Sequence, residues 1–417
     1  MVGDRLRVAL LVYRGNPHSG GQGVYTRYLA RELVALGHEV TVFAGQPWPV
    51  LDEGVSLQAV PSLDLYRQPD PFRVPQLWEL RSPVDVAELA VMCTGGFPEP
   101  RTFAWRVRRL LNARRDDFDV VHDNQTFGTG ILGLVRDGWP LLASCHHPIT
   151  VDRALELQHA ETLRRQLSLR RWYGFLRMQK RVARRLPRIV TVSESSKRDI
   201  AEQMGVRPDR LAVVPIGVDQ ERFRPHPHVP VVPGRIMTTA SADVPLKGLV
   251  PLLEAVAKLR VERPDAHLLV VGRRRDDSPV ARTVANLGLE GAVRFVSGVS
   301  DGELVRLFAE ASVAVVPSLY EGFSLPAVEA MAMGTPLVAT TGGALPEVVG
   351  DAGLLVAPGD PGALAAAIGA VLADPHRAAR MKVAGRERVL ARFTWRACAA
   401  ATAEHYRDLV DRPPPPC

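Results

Sequence analysis

Two glutamates, Glu321 and Glu329, bracket the segment Gly322-Phe323-Ser324-Leu325-Pro326. The residues before them, Val313-Ala314-Val315-Val316, read as a buried strand, and those after as a helix. Ser324 suits the N-cap of that helix, Pro326 its first turn and Gly334 its end. A helix starting there offers the free backbone N–H groups of Phe323, Ser324 and Leu325, and such a start binds phosphate. Carboxylates on either side can hold sugar hydroxyls, because they accept hydrogen bonds strongly. A bare pair would equally suit a solvated helix face; the Gly-Phe-Ser-Leu-Pro insert favours the functional reading.

A second segment, Ala240-Ser241-Ala242-Asp243-Val244-Pro245-Leu246-Lys247-Gly248-Leu249, follows a strand and opens a helix. Its ammonium, Lys247, can neutralise a diphosphate beside that helix start. Lysine is usually a solvated surface residue, but only five of the 52 basic residues here are lysines, which makes this one informative. The glycine-rich stretch His18-Ser19-Gly20-Gly21-Gln22-Gly23 does not match the dinucleotide fingerprint. It still permits close backbone approach to a ligand, as a plain turn would also explain. In Leu142-Ala143-Ser144-Cys145-His146-His147 two histidines stand at a strand end, where a neutral imidazole can bond a sugar hydroxyl.

These segments need elements to place them. Strands are expected at 7–13, 39–43, 119–122, 141–144, 189–192 and 211–214, with a helix over 24–36 closed by Gly37. That alternation is the unit of a doubly wound parallel sheet. The proline-dense stretch from Phe223 to Gly234 cannot be regular structure and reads as a linker. The grammar then restarts, with strands at 235–238, 267–271, 293–296, 313–316 and 336–339 and helices at 249–260, 361–373 and 394–410. The expected division is an N-terminal domain at 1–222, the linker at 223–234, a C-terminal domain at 235–392, a closing helix at 393–411 and a tail at 412–417. Residues 61–101 are rich in proline and carry no assigned element. Two such domains imply a cleft, with ligands at the carboxyl ends of the strands.

The 417 residues are 46% hydrophobic and 23% charged, which excludes disordered and fibrous chains. No apolar run reaches the ~18 residues of a spanning helix, and the first residues lead into a strand without a signal-peptide core. A soluble, cytoplasmic protein is expected. The four cysteines are scattered, so neither a disulfide framework nor a metal site is expected, and Cys145 reads as a small buried hydrophobe.

Together these residues resemble the retaining glycosyltransferases of family 4, with the two-domain GT-B fold. The marks are Gly20-Gly21, the strand from Gly37 to Val42, Thr191-Val192-Ser193-Glu194, Pro215-Ile216-Gly217-Val218-Asp219 with Phe223 and Pro225, Lys247-Gly248, and the spacing of Glu321 and Glu329. The resemblance implies two Rossmann-like domains facing across a cleft, with the last helix crossing back to the first. It implies transfer from a UDP- or GDP-linked sugar with retention and without a metal or other cofactor. Glu329 would hold the ribose hydroxyls. Glu321 and the amides of Gly322, Phe323, Ser324 and Leu325 would hold sugar and phosphate. Lys247, Gly20 and Gly21 would attend the leaving diphosphate, and His146, or alternatively His147, would lie near the reacting carbon. One departure stands out: Ser241 occupies the place of an arginine that usually shares the diphosphate charge. Arg273, Arg274 and Arg275, after the strand that ends at Val271-Gly272, could supply it, or could form a solvated loop.

The net charge of +7 is local. Between Ala160 and Arg188 ten basic residues stand against Glu161 alone, among them Arg164 and Arg185. Interleaved aromatic and leucine residues allow a helix at an anionic membrane surface, such as the inner face of the cell membrane, or an ordinary helix packed on its own domain. No nucleic-acid motif accompanies the charge. The acceptor could be a glycan, a lipid-linked sugar or a small molecule. An epimerase on the same fold, or a weakly active carbohydrate-binding relative, would carry the same donor residues.

Overall fold

The computed structural model describes residues 5–16, 21–67, 70–158, 160, 162–240 and 244–412. Among them, short apolar runs form strands in two parallel sheets, where both faces are covered and alternation is lost. The first sheet contains β1 (Arg7–Val12), β2 (Glu39–Ala44), β3 (Ser56–Ala59), β4 (Val120–Asn124), β5 (Leu141–Cys145), β6 (Arg188–Thr191) and β7 (Leu211–Val213), in the order β3-β2-β1-β4-β5-β6-β7. The second contains β8 (Arg235–Thr239), β9 (His267–Val271), β10 (Val293–Val296), β11 (Val313–Val316), β12 (Leu337–Thr340) and β13 (Leu354–Val356), in the order β10-β9-β8-β11-β12-β13. Every residue of β4, β5, β11 and β12 is buried.

Each sheet changes direction beside its opening strand. In the first, β1 lies between β2 (Arg7 opposite Glu39) and β4 (Val8 opposite Val120). In the second, β8 lies between β9 (Arg235 opposite His267) and β11 (Ile236 opposite Val313). Ligands of doubly wound sheets bind outside the carboxyl ends of strands at these switch points.

The chain forms two units, Met1–Val192 with Ser196–Val214 and Trp395–Cys417, and Ser193–Ser195 with Pro215–Thr394. The helix Trp395–Asp411 thus returns to the first unit. Trp395 stacks on Tyr28 with ring centroids 5.3 Å apart, and Tyr406 is fully buried. Tyr406 Oη lies 2.6 Å from His122 Nδ1, His122 Nε2 lies 2.7 Å from Ser144 Oγ, and Ser144 Oγ lies 2.9 Å from Tyr25 Oη. This buried chain joins the last helix to β4, β5 and the helix Gln22–Ala35.

Three features differ from the sequence reading. β3 is not legible in the sequence because it is an edge strand with largely exposed residues, and β13 because it is a short edge strand that is only half-buried. Residues 61–101 contain a helix, Pro83–Cys93, capped by the Ser82 hydroxyl, which accepts from Asp85 N. Its one fully buried side chain is Glu88, so no apolar period marks it. The basic stretch forms two helices, Leu163–Trp172 and Leu176–Ala183, separated by a 3-10 turn containing Gly174. Leu169, Tyr173, Phe175, Leu176, Met178 and Val182 are buried within the first unit, whereas Leu163 and Leu167 are exposed. Among the described residues no helix is long and apolar enough to cross a membrane.

Candidate functional site

In the second unit the loops after β8 and β11 carry Lys247 and Glu321 from adjacent strands at the switch point. Lys247 ends a single 3-10 turn, Pro245–Lys247. Gly248 follows with φ 63° and opens the helix Leu249–Glu262; a Cβ there would stand 2.0 Å from the carbonyl oxygen of Pro317. Glycine is therefore required twice over, by its backbone angle and by close approach. Leu319 N donates to the Leu246 carbonyl (2.7 Å), so the two loops are laced together. Lys247 Nζ donates to Glu321 Oε1 (2.8 Å), and Ser318 Oγ donates to the same oxygen (2.7 Å). The Glu321 side chain is 11% exposed and that of Lys247 33%, so the ammonium keeps access to solvent while its partner is held.

The helix after this loop is Leu325–Ala332, with Pro326 in its first turn and Gly334 just beyond its end at φ 66°. Ser324 corrects the sequence reading. It occupies the N-cap position, but with φ 94° and ψ 84°, and its hydroxyl caps nothing: the buried Oγ makes no hydrogen bond. A strained backbone and an orphaned hydroxyl at a helix start are features that cluster at ligand sites. Phe323 is buried edge-on against Phe393 (5.5 Å), which fixes the approach to the helix, and the Gly322 carbonyl accepts from Ser193 Oγ (2.7 Å).

Glu329 sits one turn further on, in a different setting. Burial pushes its carboxyl up to about 7, opposed by the Arg222 guanidinium and assisted by Asp301. Arg222 Nη1 and Asp301 Oδ2 pair at 2.6 Å. The two glutamates are therefore not equivalent: one is ion-paired, the other poised to titrate near neutrality.

Gly272 and Arg273 follow β9, the other neighbour of β8. Arg274 faces Asp276 (3.6 Å) with its guanidinium over the Phe295 ring (5.3 Å), and Arg275 pairs with Asp277 (3.0 Å). Acids of their own loop engage both, while Arg273 is exposed. Ser241 lies outside the described residues, as do Gly20, His18 and Ser19.

In the first unit Gly21 is the N-cap of the helix Gln22–Ala35, at φ 72°. His146 follows β5. Its Nε2 lies 2.8 Å from Asn124 Oδ1, and its backbone N–H donates to Gln125 Oε1 (2.8 Å). The Asn124 amide is oriented by its own donations to Thr26 Oγ1 (3.0 Å) and the Gln22 carbonyl (3.3 Å). Its oxygen therefore faces His146, whose Nε2 must carry the proton and whose Nδ1 keeps a lone pair. Burial and the neighbouring His147 drive the His146 imidazole down to about 3, so it is neutral across the physiological range. His147 turns elsewhere, with Nε2 3.0 Å from Asp152 Oδ2.

Several participants escaped the sequence reading. Asn124 ends β4, Gln125 follows it, and both hold the His146-His147 turn; Gln125 has φ 57° and also donates to the His147 carbonyl (2.9 Å). Their place at a strand's carboxyl end was the available signal. Arg222 and Asp301 are separated in sequence, and nothing short of folding pairs them with Glu329.

Residues 19–222 match the family model described as Glycosyltransferase Family 4, and residues 227–388 match Glycosyl transferases group 1. The chain belongs to glycosyltransferase family 4, and its two parallel-sheet units are those of the GT-B fold. It is 52% identical over 411 residues to the MMP alpha-(1→4)-mannosyltransferase of Mycolicibacterium hassiacum, covering 98% of this chain and 99% of that one. It is 30% identical over 434 residues to D-inositol 3-phosphate glycosyltransferase 2 of Catenulispora acidiphila, covering 97% and 95%. Among solved structures, sucrose-phosphate synthase from Thermosynechococcus elongatus shares the fold at a TM-score of 0.73 and 24% identity, covering 98% of this chain and 100% of that one. HepE from Anabaena in complex with UDP-glucose shares it at 0.68 and 17%, covering 97% and 100%.

Proposed function

We propose that this glycosyltransferase moves a mannosyl residue from a nucleotide diphosphate mannose to a sugar acceptor, forming an α-(1→4) bond with retention. The observation that carries the sugar and the linkage is the 52% identity, over 98% of the chain, to an alpha-(1→4)-mannosyltransferase. The donor assignment is supported by Lys247, Glu321 and the helix start at Leu325 converging on the switch point of the second unit.

In this reading the Glu329 carboxylate accepts the ribose hydroxyls. Glu321 and the backbone N–H groups at the helix start hold the sugar and phosphate, and Gly272 and Arg273 line the donor side. The C1–O bond to the diphosphate breaks as the acceptor hydroxyl oxygen bonds to C1 from the same face, and the hydroxyl proton passes to the leaving phosphate oxygen. Negative charge accumulates on the diphosphate, and fixed donors aimed at it are usually the largest catalytic contribution. Lys247 and the helix start supply those donors, with Gly20 and Gly21 assigned to the same diphosphate, so no metal is required. The neutral His146 is assigned to a hydroxyl near the reacting carbon. A cytoplasmic location fits the supply of a nucleotide sugar.

The test is nucleotide release with GDP-mannose beside UDP-linked sugars, with and without EDTA, followed by determination of the linkage by NMR. GDP-mannose turnover that persists in EDTA and yields an α-(1→4) product supports the proposal. Turnover of another sugar alone, a β-linked product, or unchanged rates in Glu329→Ala and Lys247→Ala rejects it.

A further inference from the structure

Donor chemistry makes no use of the stretch from Thr162 to Ser193, which contains no Asp or Glu. Its second helix, Leu176–Ala183, buries Leu176, Met178 and Val182 and turns Arg177, Lys180 and Arg181 outward, and Arg184 and Arg185 continue that face beyond the helix end. The five line a hollow of ≈ 400 Å³. Like charges four residues apart, as in Arg177 with Arg181 and Lys180 with Arg184, repel and destabilise a helix. A helix C-terminus does favour cations, but the carbonyls there already have donors. Arg210 Nη1 donates to the carbonyls of Arg184 (2.9 Å) and Leu186 (3.3 Å), and Arg185 Nη1 to that of Arg181 (3.4 Å).

Lys180 is half-buried, whereas the other four are exposed. Burial, with the Arg184 and Arg153 guanidinia nearby, holds its ammonium below the ordinary lysine range. Arg153 comes from a different element, the helix Thr150–Gln158, and its Nε is buried without a hydrogen bond. Asp152 beside it pairs with His147 (3.0 Å) instead. Among the described residues, no carboxylate pairs with Arg153, Arg177, Lys180, Arg181 or Arg184. Cations from two helices thus come together, partly out of water, with nothing to neutralise them.

We propose that Arg153, Lys180 and Arg184, with Arg177 and Arg181 at the rim, bind a ligand carrying clustered phosphates. Guanidinium forks meet phosphate oxygens two at a time, and an ammonium adds a compact charge. From Arg177 to Arg185 the stripe runs about 12 Å along the helix direction, which suits two or more phosphates in a row. Its outward residues include no apolar side chain, so a partner that must bury hydrophobic surface meets nothing there. The site belongs to the first unit and stands independently of the donor assignment in the second.

The test is calorimetric titration of tripolyphosphate into the full chain, in a Lys247→Ala background so that the second unit's proposed diphosphate site stays out of the signal. Tripolyphosphate should bind at least tenfold more tightly than sulfate at the same ionic strength, and Lys180→Gln and Arg153→Gln should each lose at least tenfold. Replacing Arg164 and Arg165 together by Gln removes two charges from the same basic stretch and should change the affinity less than twofold. Lys180→Gln takes away an unpaired, partly desolvated cation, so it should fold with a Tm no lower than its parent. Partitioning onto phosphatidylglycerol vesicles that tripolyphosphate displaces and Lys180→Gln abolishes would support the site and identify lipid headgroups as the source of the phosphates. Tripolyphosphate binding without partitioning would support it with a free ligand. Equal affinity for sulfate and tripolyphosphate, parental affinity in Lys180→Gln, or an equal loss in the Arg164 and Arg165 variant overturns it.

Discussion

Glu329 is poised to titrate near neutrality. Its carboxyl is pushed up to about 7 by burial, and in the proposed ribose-binding role only the ionised form would offer all its lone pairs. Lowering the pH from 8 to 6 carries the group from mostly ionised to mostly protonated. Affinity for GDP-mannose should fall about tenfold over that range in the wild type. In Glu329→Gln it should be weak and nearly flat, as isothermal titration at several pH values would reveal. Lys247 carries a different burden. Its ammonium stands on a switch-point loop, bonded to Glu321 at 2.8 Å. Lys247→Ala should lower kcat by about 10²–10³, the usual cost of removing one fixed donor from a developing anion, with a smaller loss in Lys247→Arg. Stopped assays of nucleotide release distinguish the two substitutions.

Elements that bury a continuous apolar run were legible: β1, β4, β5, β8, β9 and β11 stand where their hydrophobic stretches do. Edge strands and the region before Arg101 were not, because β3 is exposed and the helix Pro83–Cys93 buries a glutamate instead of an apolar stripe. At the candidate site, Lys247 and Glu321, which the spacing and the scarcity of lysine single out, do meet in an ion pair. The clamp of Asn124 and Gln125 on His146, and the Arg222–Asp301 pair near Glu329, arise from long-range packing that no local pattern encodes. Two consequences belong to this scale. Gly248→Ala would put a Cβ 2.0 Å from the Pro317 oxygen at a left-handed position and should destabilise by about 1–3 kcal/mol. Tyr406→Phe removes the partner of a fully buried His122 nitrogen and should cost about 1–3 kcal/mol. Urea denaturation of each variant measures both.

Across the whole molecule, buried titratable groups pull stability in opposite directions with pH. His122 and His146 are held down to about 3, so the unfolded chain binds their protons first. Their contribution is complete above about pH 6.5 and is lost as pH falls towards 3. Asp123, Glu329 and Glu99 are held up to about 6, 7 and 8. For these the folded state binds the extra proton, and stability is lost as pH rises from about 4 through each folded value. Between pH 6.5 and 8 the carboxyls act alone, so stability should decline with rising pH over that interval. Glu99→Gln, which needs no proton to stay neutral, should gain about 1–3 kcal/mol on the wild type at pH 8 relative to pH 5. Chemical denaturation at the two pH values, showing no such crossover, would refute it.

The return of the helix Trp395–Asp411 to the first unit bears on how the polypeptide is made. A ribosome releases the strands of that unit first, yet Tyr28 stays without Trp395, and His122 without Tyr406, until 395 and 406 residues respectively have been made. The earliest-synthesised half must wait, incompletely closed, for the last to arrive. A stop codon introduced before Trp395 would therefore spare every residue proposed to touch the donor in the second unit, and the damage would fall on the half that was translated first.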